Sequence, residues 1–200
     1  MMWSLNKCKL VFYAVGLIGI IACFVPSAIK LADLPPGEPF SELYVLGPGH
    51  QAEDYPFNVS AGDSYPIYLG VGNRMGSSMY YGVDVKFRNA SEPLPNGTAP
   101  SSLPVLYEYR VFLGDGQNWT GNLTFSFSNV VFDGNISCSV GKLQVNGVEF
   151  EIDKTVAWNN VSDGFYYQIV VELWQYDQAS DRLLYDGIFV SLWLNMTSNA

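Results

Sequence analysis

The clearest pattern in the chain is the alternation over residues 79–88, where Tyr81, Val83, Val85 and Phe87 are separated by Gly82, Asp84, Lys86 and Arg88. A period of two puts one face of a strand in a core and the other in water. Leu123, Phe125 and Phe127 alternate with Thr124, Ser126 and Ser128 in the same way. Further strands are predicted at residues 40–46, 57–60, 65–72, 105–113, 123–132, 136–145 and 148–152, each bounded by Gly, Pro, Asn or Asp. Asn146 and Gly147 are the two-residue signal for a tight hairpin. Two runs rich in Val, Ile, Tyr, Trp and Phe, residues 165–176 and 183–194, predict a long hairpin central to the sheets. Residues 73–76 and 114–122 read as turns, and residues 89–102, with Pro, Gly and Ser, as a solvated loop. No segment beyond residue 39 sustains helical spacing. Eight to ten short strands predict a mainly β chain, with an immunoglobulin-like antiparallel β-sandwich over residues 40–197.

Residues 10–29, LVFYAVGLIGIIACFVPSAI, have the opposite pattern: 20 uncharged residues between Lys9 and Lys30. As a helix rising about 1.5 Å per residue they span roughly 30 Å, the thickness of a bilayer's hydrocarbon core. The expectation is an N-terminal transmembrane helix ahead of an extracellular domain. Lys7 and Lys9 precede the run and all 19 Asp and Glu follow it, so the positive-inside bias places residues 1–9 in the cytoplasm. Pro35, Pro36 and Pro39 make residues 30–39 a stiff linker. A cleaved signal peptide is the main rival, although its apolar region is usually about 7 to 15 residues long. A lipoprotein lipidated at Cys23 is a narrower one, opposed by Phe24 and Val25 continuing the apolar run. Pro26 either kinks the helix or marks its end. Each version leaves residues 31–200 outside the cytoplasm.

Charge and cysteine content narrow the choices. Beyond residue 30, seven Lys and Arg stand against 19 Asp and Glu, a balance of −12, which excludes a basic groove for nucleic acid. Cys8 and Cys23 lie in or before the apolar run, leaving Cys138 alone in the outer domain, where it reads as a small buried residue and no internal disulfide is available. About 170 residues suffice for one core without such cross-links. Asn-X-Ser/Thr occurs at Asn58, Asn89, Asn96, Asn118, Asn122, Asn135, Asn160 and Asn195, eight sites where chance gives about 1.6. All lie in the expected outer domain, so they are N-glycosylation candidates on a surface glycoprotein. The competing reading is a β-rich composition that favours Asn, Ser and Thr in turns.

Candidate chemistry is sparse. His50, the only histidine, sits among Gly and Pro and rules out a histidine-based metal cluster. Glu149 with Glu151, or Glu53 with Asp54, offer paired carboxylates, but a polar strand face produces the same spacing. Asp115 to Asn118 and Asp133 to Asn135 offer loop oxygens for calcium without the spaced ligand series of a recognisable site, and fit ordinary Asx turns equally. Tyr80, Tyr81, Tyr166, Tyr167, Trp174 and Tyr176 are the aromatics from which a sugar-stacking platform would be built, or else core and cross-strand pairs. No catalytic, cofactor or metal residue is assigned.

The run Phe40-Ser-Glu-Leu-Tyr-Val-Leu-Gly-Pro, then Ala52, Asp54-Tyr55-Pro56, Gly62, Val71-Gly72-Asn73 and Tyr81-Gly-Val-Asp-Val, resembles the signature of an archaeal and bacterial family, domain of unknown function 1616. Gly164, Val171-Glu-Leu-Trp-Gln-Tyr, Tyr185 and Phe189-Val-Ser-Leu-Trp-Leu are similar to its closing hairpin. The resemblance covers most of residues 40–195 and implies a membrane-anchored protein with an external β-domain. Arg74 and Met75 stand where that family is expected to carry an acid. The resemblance transfers no catalytic role. The sequence therefore points to a non-catalytic, single-pass cell-surface protein serving adhesion, envelope architecture or surface-complex assembly. It would hold the membrane through residues 10–29 and meet protein or glycan partners outside, with no cofactor and no nucleic acid. The alternative is an accessory extracytoplasmic subunit of a membrane enzyme or polysaccharide-export complex.

Overall fold

The computed structural model describes Lys9, residues 12–21, Phe24 and residues 38–198. The chain divides into two compact units, Met1–Glu38 and Pro39–Ala200. In the first, Lys9, residues 12–21 and Phe24 are helical, with Phe12, Leu17, Ile20 and Phe24 exposed. Among the described residues no helix is long and apolar enough to cross a membrane. Of the expected span, residues 10, 11, 22, 23 and 25–29 lie outside the described residues, as do residues 1–8 and most of the expected linker, 30–37.

The second unit holds ten strands: β1 (Phe40–Leu46), β2 (Asn58–Ser60), β3 (Ser64–Arg74), β4 (Met79–Asn89), β5 (Tyr107–Leu113), β6 (Asn118–Asp133), β7 (Ser137–Val145), β8 (Val148–Ala157), β9 (Tyr166–Asp177) and β10 (Arg182–Thr197). They form two five-stranded sheets, ordered β1-β3-β6-β7-β8 and β2-β10-β9-β4-β5. Neighbours are antiparallel except β2, which runs parallel to β10. The result is a β-sandwich, with the predicted final hairpin β9–β10 at the centre of the second sheet.

Alternation explains the core. Tyr81, Val83, Val85 and Phe87 of β4 meet Leu123, Phe125 and Phe127 of β6 between the sheets, with Ile67, Leu69 and Val71 of β3 and Ile169, Val171 and Leu173 of β9 around them, all at most 2% exposed. Each such side chain contributes roughly 1.5–3 kcal/mol on burial. Phe87 stacks on Tyr167 at 5.3 Å and tilts against Phe127 at 5.5 Å. Cys138, in β7, is buried with a free thiol, pushed up to about 11 by that burial. The β7–β8 hairpin turns at Asn146 (φ 47°) and Gly147 (φ 84°), the two left-handed residues a type I′ turn requires.

Two expectations need correction. β3 continues through Arg74 and β6 begins at Asn118, inside the segments read as turns, because their ladder extends to Gly72 opposite Asn118. Backbone pairing carries the strands past the end of the apolar pattern. The larger correction concerns β4. Asp84, Lys86 and Arg88, expected in water, are 7%, 3% and 5% exposed. Residues 89–102, expected to be a solvated excursion, are part of a strap, residues 90–106, that turns back over Lys86 and Arg88 and buries its own Pro95, Ser101 and Leu103.

Candidate functional site

The outer face of the second sheet carries the charged residues that the strap of residues 90–106 covers. In register, Asp84 of β4 stands opposite Glu108 of β5 on one side and Glu172 of β9 on the other. Alternation therefore lines three carboxylates across three strands, with Lys86 two residues along from Asp84 on the same face. Lys86 Nζ donates to Glu172 Oε2 (2.8 Å), Ser101 O (3.1 Å) and Ser101 Oγ (3.4 Å). Ser101 N and Oγ both donate to Glu172 Oε1, at 2.8 and 2.6 Å. The Lys86–Glu172 pair is thus buried and hydrogen-bonded on both sides, the condition under which a desolvated ion pair is tolerated.

The strap is fastened along its length. Arg88 Nη2 donates to the carbonyls of Ala90 and Glu92, and Arg88 Nη1 to Gln168 Oε1, whose amide donates to Ser191 Oγ at 3.3 Å. Lys154 Nζ reaches Glu92 Oε1 at 2.5 Å. At the far side, a Cβ on Gly187 would sit 2.6 Å from Gly97 O, and Gly187 has φ +76°, so the β10 bulge admits the strap only with glycine there. Leu106 N closes the loop onto Val85 O at 2.9 Å.

One carboxylate of the row is left unsatisfied. Asp84 Oδ1 is buried without a hydrogen-bond partner. Burial first, then the charge and contact of Glu108, raise the Asp84 carboxyl to about 6 against the pull of Lys86. Below about pH 6 Asp84 is a neutral acid able to donate toward Glu108; above it the row holds a third anion. On the core side of β4, Tyr81 Oη lies 3.1 Å from Ser41 Oγ and 3.3 Å from Asn73 Oδ1. Burial pushes the nearby Asp186 carboxyl up, opposed by a hydrogen bond from Ser41.

Beyond Arg88 the same outer face opens into a groove of about 310 Å³ lined by Phe57, Ala90, Asn159, Ser162, Tyr166 and Trp193. Tyr166 is the hinge of its aromatic wall. Its ring centroid is 6.1 Å from Phe57 and 6.2 Å from Trp193, the latter at 86°. Tyr166 and Trp193 share the outer face through the β9–β10 ladder, and the Tyr166 hydroxyl donates to Ser162 O, fixing the ring to the β8–β9 loop. Phe57 and Trp193 remain 47% and 46% exposed.

The residues singled out from sequence are scattered by comparison. Tyr81 and Tyr167 are core, Tyr80 meets Tyr176 edge-on at 6.3 Å, and Trp174 packs on Tyr185 at 5.7 Å, so of the six aromatics only Tyr166 reaches the groove. His50 is exposed and stacks on Tyr68 at 3.7 Å. Glu149 and Glu151 both pair with Lys142, and Glu53 and Asp54 are exposed. Asp115 Oδ1 accepts from Gly76 N and Asn118 Oδ1 from Arg74 Nη2, which commits the first calcium-like loop to N–H donors. Among the described residues, no three His, Cys, Asp or Glu side chains are grouped to hold a metal. Asn58, Asn96, Asn118, Asn122, Asn135 and Asn160 are exposed; Asn89 and Asn195 are half-buried. Sequence reasoning missed Phe57, Trp193 and the buried ion pair. The available signal for the pair was Glu172, a lone acid in the apolar run of residues 169–174.

The chain is similar to a beta-glucosidase from Listeria innocua (9% identity, TM-score 0.42), covering 80% of this chain and 16% of that one. It is also similar to the CARDB domain of the PF1109 protein from Pyrococcus furiosus in complex with di-metal ions (11% identity, TM-score 0.41), covering 84% and 97%. The chain thus spans about 16% of the length of the glucosidase. No curated protein matches it. Domain of unknown function (DUF1616) matches residues 34–133, half of the chain and the part that carries β1 to β6 and the strap, and the chain therefore belongs to the DUF1616 family.

Proposed function

We propose that this is a non-catalytic, single-pass cell-surface protein whose immunoglobulin-like β-sandwich serves adhesion, envelope architecture or surface-complex assembly. The observation that carries the reading is the fate of the charged row. Lys86 and Glu172 are sealed beneath the strap and hydrogen-bonded on both sides, while the groove beside them presents aromatic rings, an amide and a hydroxyl. Reaction chemistry calls for ionisable groups within reach of a substrate; these ionisable groups hold a loop to a sheet. Recognition calls for exposed aromatic surface with polar groups at its rim.

Anchoring is supported by the uncharged run of residues 10–29 and by the exposed apolar side chains of its helical residues. Surface display is supported by the acidic balance and by six exposed sequons. The test is a mild-detergent pull-down of the native protein from its own membranes, with intact mass and glycopeptide analysis of the same sample. Recovery alone, uncleaved and glycosylated, is the expected result. Stoichiometric multi-spanning partners would overturn it in favour of an accessory subunit.

A further inference from the structure

We propose that the groove between Phe57, Tyr166 and Trp193 is a binding site for the ring of a neutral sugar. The inference gives the surface reading above a ligand class and rests on it only for where the ligand is met. Its test uses purified protein, so the two fail separately.

Three features select this ligand. The first is neutrality. None of the six lining residues carries a charge, although the chain has a net charge of −9. An anionic glycan would be repelled by the surrounding field, and no basic side chain lines the groove to offset that. The second is shape. The perpendicular faces of Tyr166 and Trp193, with Phe57 completing the wall, border an open groove of about 310 Å³, at the lower end of the range for small-molecule pockets. A hexopyranose presents an apolar C–H face to an aromatic ring, whose π-cloud favours the slightly positive hydrogens.

The third is hydrogen-bonding capacity. Asn159 uses Oδ1 to accept from Val161 N and Ser162 N, leaving Nδ2 without a partner among the described residues. Ser162 Oγ and Trp193 Nε1 are likewise without partners among the described residues. Two donors and a hydroxyl on residues that line the groove match the oxygens of a sugar. They would be wasted on a quaternary ammonium, which an aromatic corner can also hold but which has no hydrogen-bonding atom.

The experiment uses the full chain from a host without N-glycosylation, in a detergent lacking a sugar head group. It is titrated by calorimetry with maltotriose, cellotriose and chitotriose, and with trigalacturonate and choline as charged probes. Saturable binding of at least one neutral trisaccharide is expected, at a Kd of order 1 mM or tighter. Trp193→Ala and Tyr166→Ala should each weaken it about tenfold or more, while Phe112→Ala, which removes an exposed ring on β5, should leave it unchanged. Thermal melts of each variant separate loss of the site from loss of the fold. The proposal is overturned if no neutral probe binds at about 10 mM, if the charged probes bind instead, or if Trp193→Ala binds as well as the parent. Native protein that binds only after Asn160→Gln would support the same ligand class and identify the resident sugar as the chain's own glycan.

Discussion

The raised Asp84 carboxyl makes a quantitative prediction about pH. The carboxyl titrates near 6 in the fold and near 3.8 when unfolded, so between these values the folded chain holds more proton than the unfolded one. Stability contributed by the protonated form is therefore complete below about pH 4 and is lost as pH rises through 6. A difference of roughly two pKa units corresponds to about 3 kcal/mol. Between pH 4.5 and 7.5 about 2 kcal/mol of this is lost, which for a domain of this size is a fall in Tm of about 4–8 °C. Asp84→Asn keeps the shape, stays neutral at every pH and can still donate toward Glu108. The assay is near-UV circular dichroism melting of parent and variant at constant ionic strength across that range. The melting temperatures should nearly coincide at pH 4.5, and the variant should be the more stable by about 2 kcal/mol above pH 7. Asp186, raised by burial, and Asp177, lowered by Ser180, act alike on both proteins and cancel in the comparison. Parallel curves would refute the assignment of a proton to Asp84.

Further outcomes follow from the same geometry. Glu172→Leu and Lys86→Met should each cost about 3–5 kcal/mol in urea unfolding by stranding a buried charge, and the double variant should cost less than either. Gly187→Ala forces a β-carbon to 2.6 Å from Gly97 O at a positive φ and should loosen the strap by more than about 1 kcal/mol, read as faster limited proteolysis within residues 90–106. In the native host, glycopeptide mapping should find sugar at Asn96, Asn118, Asn135 and Asn160. Asn89 and Asn195 should remain bare, because the Asn89 amide donates to Thr155 O and that of Asn195 to Asn58 Oδ1.

The strands were legible because they are encoded locally. The period-two pattern of residues 79–88 identified both the core and the outer face of β4, and Asn146-Gly147 located a hairpin whose positive φ angles only such residues adopt readily. Strand ends were read less well. Asn118 and Thr120 pair with Gly72 and Gly70 through their backbones, to which side-chain polarity is irrelevant.

The candidate site was illegible for a different reason. Phe57, Tyr166 and Trp193 are each unremarkable in sequence, separated by 109 and 27 positions, and become one wall only when β2 lies beside β10 and β10 beside β9. By itself, the sequence determined a mainly β chain, its family, its acidity and the alternation that fills the core, because those depend on which residues are present and on neighbours two apart. Tertiary structure alone decided which polar residues are buried. Lys86 and Arg88 carry the solvent-face signature of an ordinary strand, and they leave water because a loop beginning at Ala90 folds back over them, Ser101 meeting Lys86 and the Ala90 and Glu92 carbonyls meeting Arg88. Burial of a charge is a property of what lies above it, and no local pattern encodes that.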